Sequence, residues 1–194
     1  MWNAPDYIRH IRLVPRVWET HVFKVTQLVT DIEDGRLPPV TYVSPQFWLS
    51  DHPDASICYG ENWTTQIMNA VMRSDMWKDT AVFIAWDDWG GFYDHMPPPE
   101  DPDTGTPIGF RVPLLTISPY AKAGTIDSRQ GDFGSIIRFI EANWKLKPLP
   151  TESPSDGKLM GNFDFSQAPL PPDPLPMRTD CQGYDEDAVT TGGG

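Results

Sequence analysis

The sequence predicts an α/β protein with a mainly parallel sheet. First, segments with strand and helix patterns alternate along the chain. Second, residues 80–86 form a short apolar run between polar residues, which is typical of a strand buried on both faces. Third, Asp87 and Asp88 follow that run directly, at the carboxyl end of a strand, where open parallel sheets bind their ligands.

The amino-terminal third of the chain predicts a helix, a short strand and a second helix. The first helix has an apolar face at helical spacing and ends near Gly35; the face comprises Val22, Val25, Leu28, Val29 and Ile32. A strand over residues 40–43 follows, and the loop after it contains His52. The second helix spans residues 62–72, with Asn62 as its cap and Met68 and Met72 as packing residues.

The remaining elements are a strand, a helix and an irregular tail. Pro113 favours an edge position for the strand at residues 112–117. Asp132 is placed to cap a helix with an apolar stripe formed by Phe133, Ile136, Ile137, Ile140 and Trp144. Residues 148–194 are rich in proline and predict a wrapping, partly disordered tail, attached through Phe163 and Phe165 and frayed over residues 190–194. The domain proper is expected to span residues 1–147.

Composition limits the function classes. With 39% hydrophobic and 12% aromatic residues in 194, the chain is expected to form a globular domain with a core. A net charge of −12 argues against nucleic-acid binding, since recognition of a phosphate backbone needs a basic surface. The same charge repels an anionic substrate at long range, so binding one would need a local cation.

The cysteines and the length of the apolar runs are the sequence features that relate to the cellular compartment of the protein. Cys58 and Cys181 are the two cysteines, and both a disulfide and two free thiols remain open. No apolar run approaches the ~18 residues that a transmembrane helix needs. The first residues lack the pattern of a signal peptide.

The segment AWDDWGGFYDHMPPP, residues 85–99, is the strongest candidate site. Adjacent carboxylates repel each other and are costly to desolvate, so Asp87 and Asp88 favour a bound cation. Gly90 and Gly91 permit the positive φ of a sharp turn. An ordinary surface loop is the alternative, although the neighbouring aromatic residues favour a partly buried loop.

Several segments together resemble a known family. These are residues 77–99, LPPVTYVSP at 37–45, SDHP at 50–53, GENW at 60–63, GFRVPLL at 109–115 and ISPYA at 117–121. In this order they resemble the phosphoesterase family of bacterial phospholipases C of the non-zinc-cluster type and related acid phosphatases, within the alkaline-phosphatase-like superfamily. The resemblance covers residues 2–176. It implies part of an alkaline-phosphatase-like three-layer sandwich.

The resemblance also implies a chemistry. Asp87 and Asp88 would be ligands of a divalent metal ion (Ca, Mg, Mn or Zn), and His52 and His95 would face the phosphate or the leaving group. The substrate would be a phosphate ester or a phospholipid, and the parent enzyme would be exported to the periplasm or the medium. Such enzymes carry a Glu-Asn metal-binding pair and a Ser or Thr nucleophile in an amino-terminal half that this chain does not match, so we expect a missing half and incomplete activity.

Two alternatives remain. One is a non-catalytic metal-binding fragment that needs a second half. The other is a glycoside hydrolase with paired carboxylates, which adjacent aspartates fit poorly. Ser44, Ser50 and Ser118 lack the family's nucleophile context. Surface or packing positions are predicted for His10, His21 and Arg111, and a solvated turn rather than a calcium site for Glu100, Asp101 and Asp103.

Overall fold

The computed structural model describes residues 3–101, 104–149, 158–185 and 187. The chain divides into two compact units. The first contains residues 1–77, 90–92 and 172–194, and the second contains residues 78–89 and 93–171. Helices and strands both occur, so the predicted mixed α/β character is confirmed.

The first unit is helical. Its helices are α1 (Arg9–Arg12), α2 (Pro15–His21), α3 (Leu28–Glu33) and α4 (Ile57–Arg73). Buried Leu28 and Ile32 lie on α3, which contacts α4. On the other side of the core, Leu49 and Trp63 pack with a set of partly buried side chains, namely Val25, Val29, Tyr59, Ile67 and Tyr184.

The first predicted helix is shorter than its apolar spacing indicated. A 3-10 turn, Val25–Gln27, leads into α3, and Val22 follows the end of α2 instead. The predicted strand over residues 40–43 was wrong. These residues pair with no strand in the described part of the chain, and the side chain of Tyr42 is 77% exposed. Apolar composition without a pairing partner does not make a strand.

Helix α4 begins five residues before the predicted cap. Ser56 precedes its first turn, and Asn62 lies inside the helix with 2% of its surface exposed. The Asn62 amide is therefore not a cap, and its hydrogen bonds go elsewhere. Met68 and Met72 are buried, as predicted for packing residues.

The second unit contains a two-stranded sheet and helix α5 (Gly134–Trp144). Strands β1 (Val82–Ala85) and β2 (Leu114–Ile117) are antiparallel, with Val82 opposite Ile117 and Ala85 opposite Leu114. The described ranges thus contain no parallel strand pair, and the mainly parallel sheet stays a prediction. The first three residues of β1 are half-buried and Ala85 is exposed, so the predicted burial on both faces is not observed.

Helix α5 is capped as predicted. Asp132 Oδ1 accepts the Ser135 N–H at 3.1 Å, and the Asp132 N–H donates to Ser135 Oγ at 3.2 Å. Phe139 on α5 forms a buried cluster with Leu159 and Phe163, against which Phe83 packs. Phe163 also bridges to Ala121 as in an antiparallel sheet.

Within the tail, the rings of Phe163 and Phe165 stack at 5.6 Å. Phe163 also contacts Phe83 and Phe139, and the ring of Phe165 lies 5.7 Å from that of Tyr120, so the tail is attached at the predicted position. Residues 190–194, predicted to fray, lie outside the described residues, and the division at residue 147 stays a prediction. Within the described ranges, no helix combines the length and apolar character that crossing a membrane requires.

Candidate functional site

Asp87 and Asp88 follow the last residue of β1 by two and three positions, and both are exposed. The next residues turn sharply, because Gly90 and Gly91 adopt φ values of 61° and 78°. Side chains rarely tolerate this left-handed region, whereas glycine does. The sequence-based expectation that the chain turns here is therefore confirmed.

An ion pair anchors the segment after this turn. Arg111 donates to Asp94 through Nε at 2.6 Å and Nη2 at 2.8 Å, and the Met96 N–H donates to Asp94 Oδ1 at 3.1 Å. The Arg111 hydrogen bonds, followed by that of Met96, hold the pKa of Asp94 well below its usual range. The same pairing raises the pKa of Arg111. Asp94 is thus an ionised anchor whose oxygens are already engaged.

His95 lies beside this anchor. Its Nδ1 is 3.6 Å from Asp94 Oδ1, and its side chain is 80% exposed. Arg111 is exposed, as expected, but its pairing with Asp94 was missed. The signal was present, since an acid and a base stand in two of the segments that carry the family resemblance, residues 85–99 and 109–115.

Aromatic contacts join the same two segments. The ring of Phe110 lies 5.2 Å from that of Trp89 and 6.0 Å from that of Tyr93, both edge to face. Such pairs stabilise a defined geometry beyond their apolar burial. Within the second unit, Phe110 therefore contacts Trp89 and Tyr93, and the neighbouring Arg111 holds Asp94.

His52 belongs to the first unit, in the loop before α4. Its N–H donates to Ser50 Oγ at 3.4 Å, and its Nδ1 accepts the Asp54 N–H at 3.5 Å. Because Nδ1 accepts, the neutral ring carries its proton on Nε2. The ring also packs on Phe47, with centroids 5.0 Å apart. In this tautomer Nε2–H is the ring group that can act as a hydrogen-bond donor.

A cavity of about 540 Å³ lies in the same unit. Asp54, whose carboxylate is 4.0 Å from His52 Nδ1, forms part of its wall together with Trp48, Tyr59 and Tyr184. Sequence reasoning did not identify this cavity, because its wall combines residues 46–59 with residues 180–185.

The donor atoms at Asp87 and Asp88 suit a hard divalent cation, which prefers carboxylate oxygens. In the described part of the chain, however, no group of three neighbouring acidic, histidine or cysteine ligands includes either aspartate. One such group consists of Cys58, Asp180 and Cys181. Those two cysteines form a disulfide, so they offer no thiolates. Asp87 and Asp88 thus match the ligand type but not the full ligand number.

The described residues form a mixed α/β protein with two adjacent carboxylates after β1 and a turn beside them. The chain belongs to the phosphoesterase family, whose family model matches residues 3–147. This confirms the resemblance and is consistent with the alkaline-phosphatase-like superfamily.

Its relatives include bacterial phospholipases C. The chain is 28% identical to the hemolytic phospholipase C of Pseudomonas aeruginosa over 86% of this chain and 27% of that protein. It is 29% identical to the non-hemolytic phospholipase C of Burkholderia pseudomallei (81% and 27%) and to phospholipase C B of Mycobacterium tuberculosis (74% and 33%). The chain therefore spans about a quarter to a third of the length of these relatives.

Proposed function

We propose that this chain takes part in metal-dependent hydrolysis of phosphate esters, of the phospholipase C or acid-phosphatase type. The observation that carries the proposal is the family match over residues 3–147, which contains the Asp87–Asp88 pair at the end of β1. The named relatives are phospholipases C, which supports a phospholipid or a related phosphate diester as substrate.

Asp87 and Asp88 would hold the divalent ion, with Ca, Mg, Mn and Zn as candidates. When bound, the ion supplies charge stabilisation at the phosphoryl oxygens. His52 donates from Nε2 to the phosphate or to the leaving oxygen. His95 orders the turn through Asp94, which keeps the two aspartates in place.

Two carboxylates do not complete the coordination of any of these ions. We propose that the remaining ligands and a Ser or Thr nucleophile come from protein sequence outside this chain. The full domain would be an alkaline-phosphatase-like three-layer sandwich with a mainly parallel sheet, to which β1 and β2 contribute. The Cys58–Cys181 disulfide supports an exported protein, because such bonds persist in oxidising compartments.

The test is hydrolysis of p-nitrophenyl phosphorylcholine by the purified chain and by a version extended with the coding sequence upstream of it, each with and without added divalent metal. We expect metal-dependent turnover by the extended version and little by the chain alone. Equal turnover by both would overturn the proposal that ligands and nucleophile lie elsewhere. No metal-dependent turnover by either would overturn the enzymatic function.

A further inference from the structure

Asp51, the residue before His52, has a left-handed backbone with φ 61°. This conformation is uncommon for a residue with a side chain, although aspartate adopts it more readily than most. Lys145 is the other such residue in the described ranges, and it ends helix α5, where left-handed residues are common. Asp51 has no such explanation, since it lies in the turn between the 3-10 helix Phe47–Leu49 and α4.

The side chain of Asp51 lies against the first turn of α4. A Cβ built on Gly60 would overlap Asp51 Oδ1 and lie 2.7 Å from its Cγ, so the carboxylate occupies the space that any larger residue at position 60 would fill. Asp51 Oδ1 is buried. The amino terminus of a helix attracts negative charge, and Ser56 makes no side-chain cap bond there.

This contact determines how the loop continues into His52. A glycine at position 51 would adopt the same φ without strain. With aspartate at this position, the strain is offset by the contact of its side chain with Gly60. The residues on either side, Ser50 and His52, are joined by the His52 N–H to Ser50 Oγ bond. The Asp54 N–H in turn donates a hydrogen bond to Nδ1 of the His52 ring. The direction of the His52 ring thus depends on the turn at Asp51.

We propose that Asp51, seated on Gly60, is a positioning residue that holds the His52 ring in its Nε2–H form and orientation. The inference rests on the proposed function only in giving His52 a role in hydrolysis. The geometric part concerns this chain alone and is testable without turnover.

The test is a two-bond ¹H–¹⁵N correlation spectrum of the four histidines, recorded above the histidine titration range, with His52 assigned from a His52→Gln variant. The wild-type ring should show the Nε2–H pattern. Asp51→Gly keeps the backbone conformation but removes the carboxylate. Gly60→Ala keeps the carboxylate but displaces it from the place it occupies against Gly60. Both should shift the His52 signals towards those of a free imidazole, with loss of the single-tautomer pattern.

Two further variants separate this effect from general damage. Asp54→Asn keeps the N–H that bonds Nδ1 and removes a carboxylate that is 82% exposed, so the His52 signals should stay in place. Gly60→Ala should lower the melting temperature much more in the wild-type background than in the Asp51→Gly background, because the Asp51 side chain lies closest to a Cβ at position 60, while the Asp51 backbone N, at 3.1 Å, is present in both.

An unchanged His52 pattern in folded Asp51→Gly would overturn the proposal, as would an equal loss from Gly60→Ala in both backgrounds. In the extended enzyme, Asp51→Gly should lower kcat with little change in KM, and it should cause no additional loss in a His52→Gln background. If the spectra change as expected but His52→Gln leaves hydrolysis intact, the positioning role stands and the proposed function of His52 fails.

Discussion

The side-chain amide of Asn62 holds the backbone of Arg178 by both of its ends. Nδ2 donates to the Arg178 carbonyl at 3.0 Å, and Oδ1 accepts the Arg178 N–H at 2.8 Å. Asn69 makes the same pair of bonds to Leu175, at 2.9 and 2.8 Å. Residues seven apart lie on one face of a helix. These four bonds therefore hold the main chain of the tail on α4, in addition to the contacts that the side chains of the tail make.

Removing either amide should destabilise the first unit. Asn62→Ala leaves the N–H and carbonyl of Arg178 without their Asn62 partner in a partly buried position, at a cost of about 1–3 kcal/mol. Asn69→Ala should cost a similar amount. The measurement is the free energy of unfolding from urea denaturation. Thr65→Ala, on the same helix, serves as the matched control and should change it by less than about 0.5 kcal/mol. Equal effects of all three substitutions would contradict the role of the amides.

The disulfide between Cys58 and Cys181 fastens the same tail segment across 123 residues of sequence. Closing so long a loop restricts the unfolded chain, and such bonds typically contribute about 2–5 kcal/mol. We expect a reducing agent to lower the melting temperature of the wild-type chain. The Cys58→Ser/Cys181→Ser variant should melt at the lower temperature with or without reductant. A wild-type melting temperature that does not respond to reductant would contradict this assignment.

The sequence predicted local features well where one short pattern determines them. The Asp132 cap of α5, the positive φ at Gly90 and Gly91 and the placement of Asp87 and Asp88 after a strand are all found. Each depends on a few neighbouring residues, whose backbone preferences and hydrogen bonds are set locally.

Contacts between segments that are far apart in the sequence could not be predicted from local patterns. Asn62 was predicted to be a helix cap because asparagine favours that position, but its amide binds a segment 116 residues away. The apolar run at residues 80–86 did not reveal that its partner is the antiparallel β2, since a buried strand of either type is apolar. Residues 40–43 had the composition of a strand without a partner.

The ion pair between Asp94 and Arg111 predicts a pH effect. The pKa of Asp94 is lowered from its ordinary value of 3.8, chiefly by the Arg111 hydrogen bonds, so the pair stabilises the fold above that value. The contribution is lost as pH falls below about 4, because the Asp94 carboxylate takes up a proton in the unfolded chain before it does so in the folded protein. The difference in unfolding free energy between wild type and Arg111→Gln should therefore be constant near neutral pH and shrink in acid.

The control for this prediction is the same substitution in an Asp94→Asn background. Without an ionisable group at position 94, Arg111→Gln should have an effect that does not vary with pH over this range. A difference that grows as pH falls in the wild-type background would have the wrong sign for a lowered pKa.

The rate losses caused by replacing His52 and by replacing His95 should depend differently on the leaving group of the substrate. Loss of a general acid typically costs about 10²–10⁴ in rate. In the extended enzyme, His52→Gln should show such a loss with an alkyl phosphodiester and a much smaller one with a p-nitrophenyl ester, whose leaving group needs no proton. His95→Gln should lower both rates by the same modest factor, because its ring lies beside Asp94. An equal loss for both esters in His52→Gln would contradict the proton-donating role.

The most direct test of the central claim is the metal-dependent rate of p-nitrophenyl phosphorylcholine hydrolysis by the extended enzyme carrying Asp87→Asn and Asp88→Asn. Metal stabilisation of the transition state is worth several kcal/mol, so we expect the rate to fall at least about a hundredfold in each variant. Raising the metal concentration should restore part of the rate. Asp101→Asn, in the loop predicted to be only a solvated turn, should retain the wild-type rate. Wild-type rates and an unchanged metal requirement in both Asp87→Asn and Asp88→Asn would contradict the account.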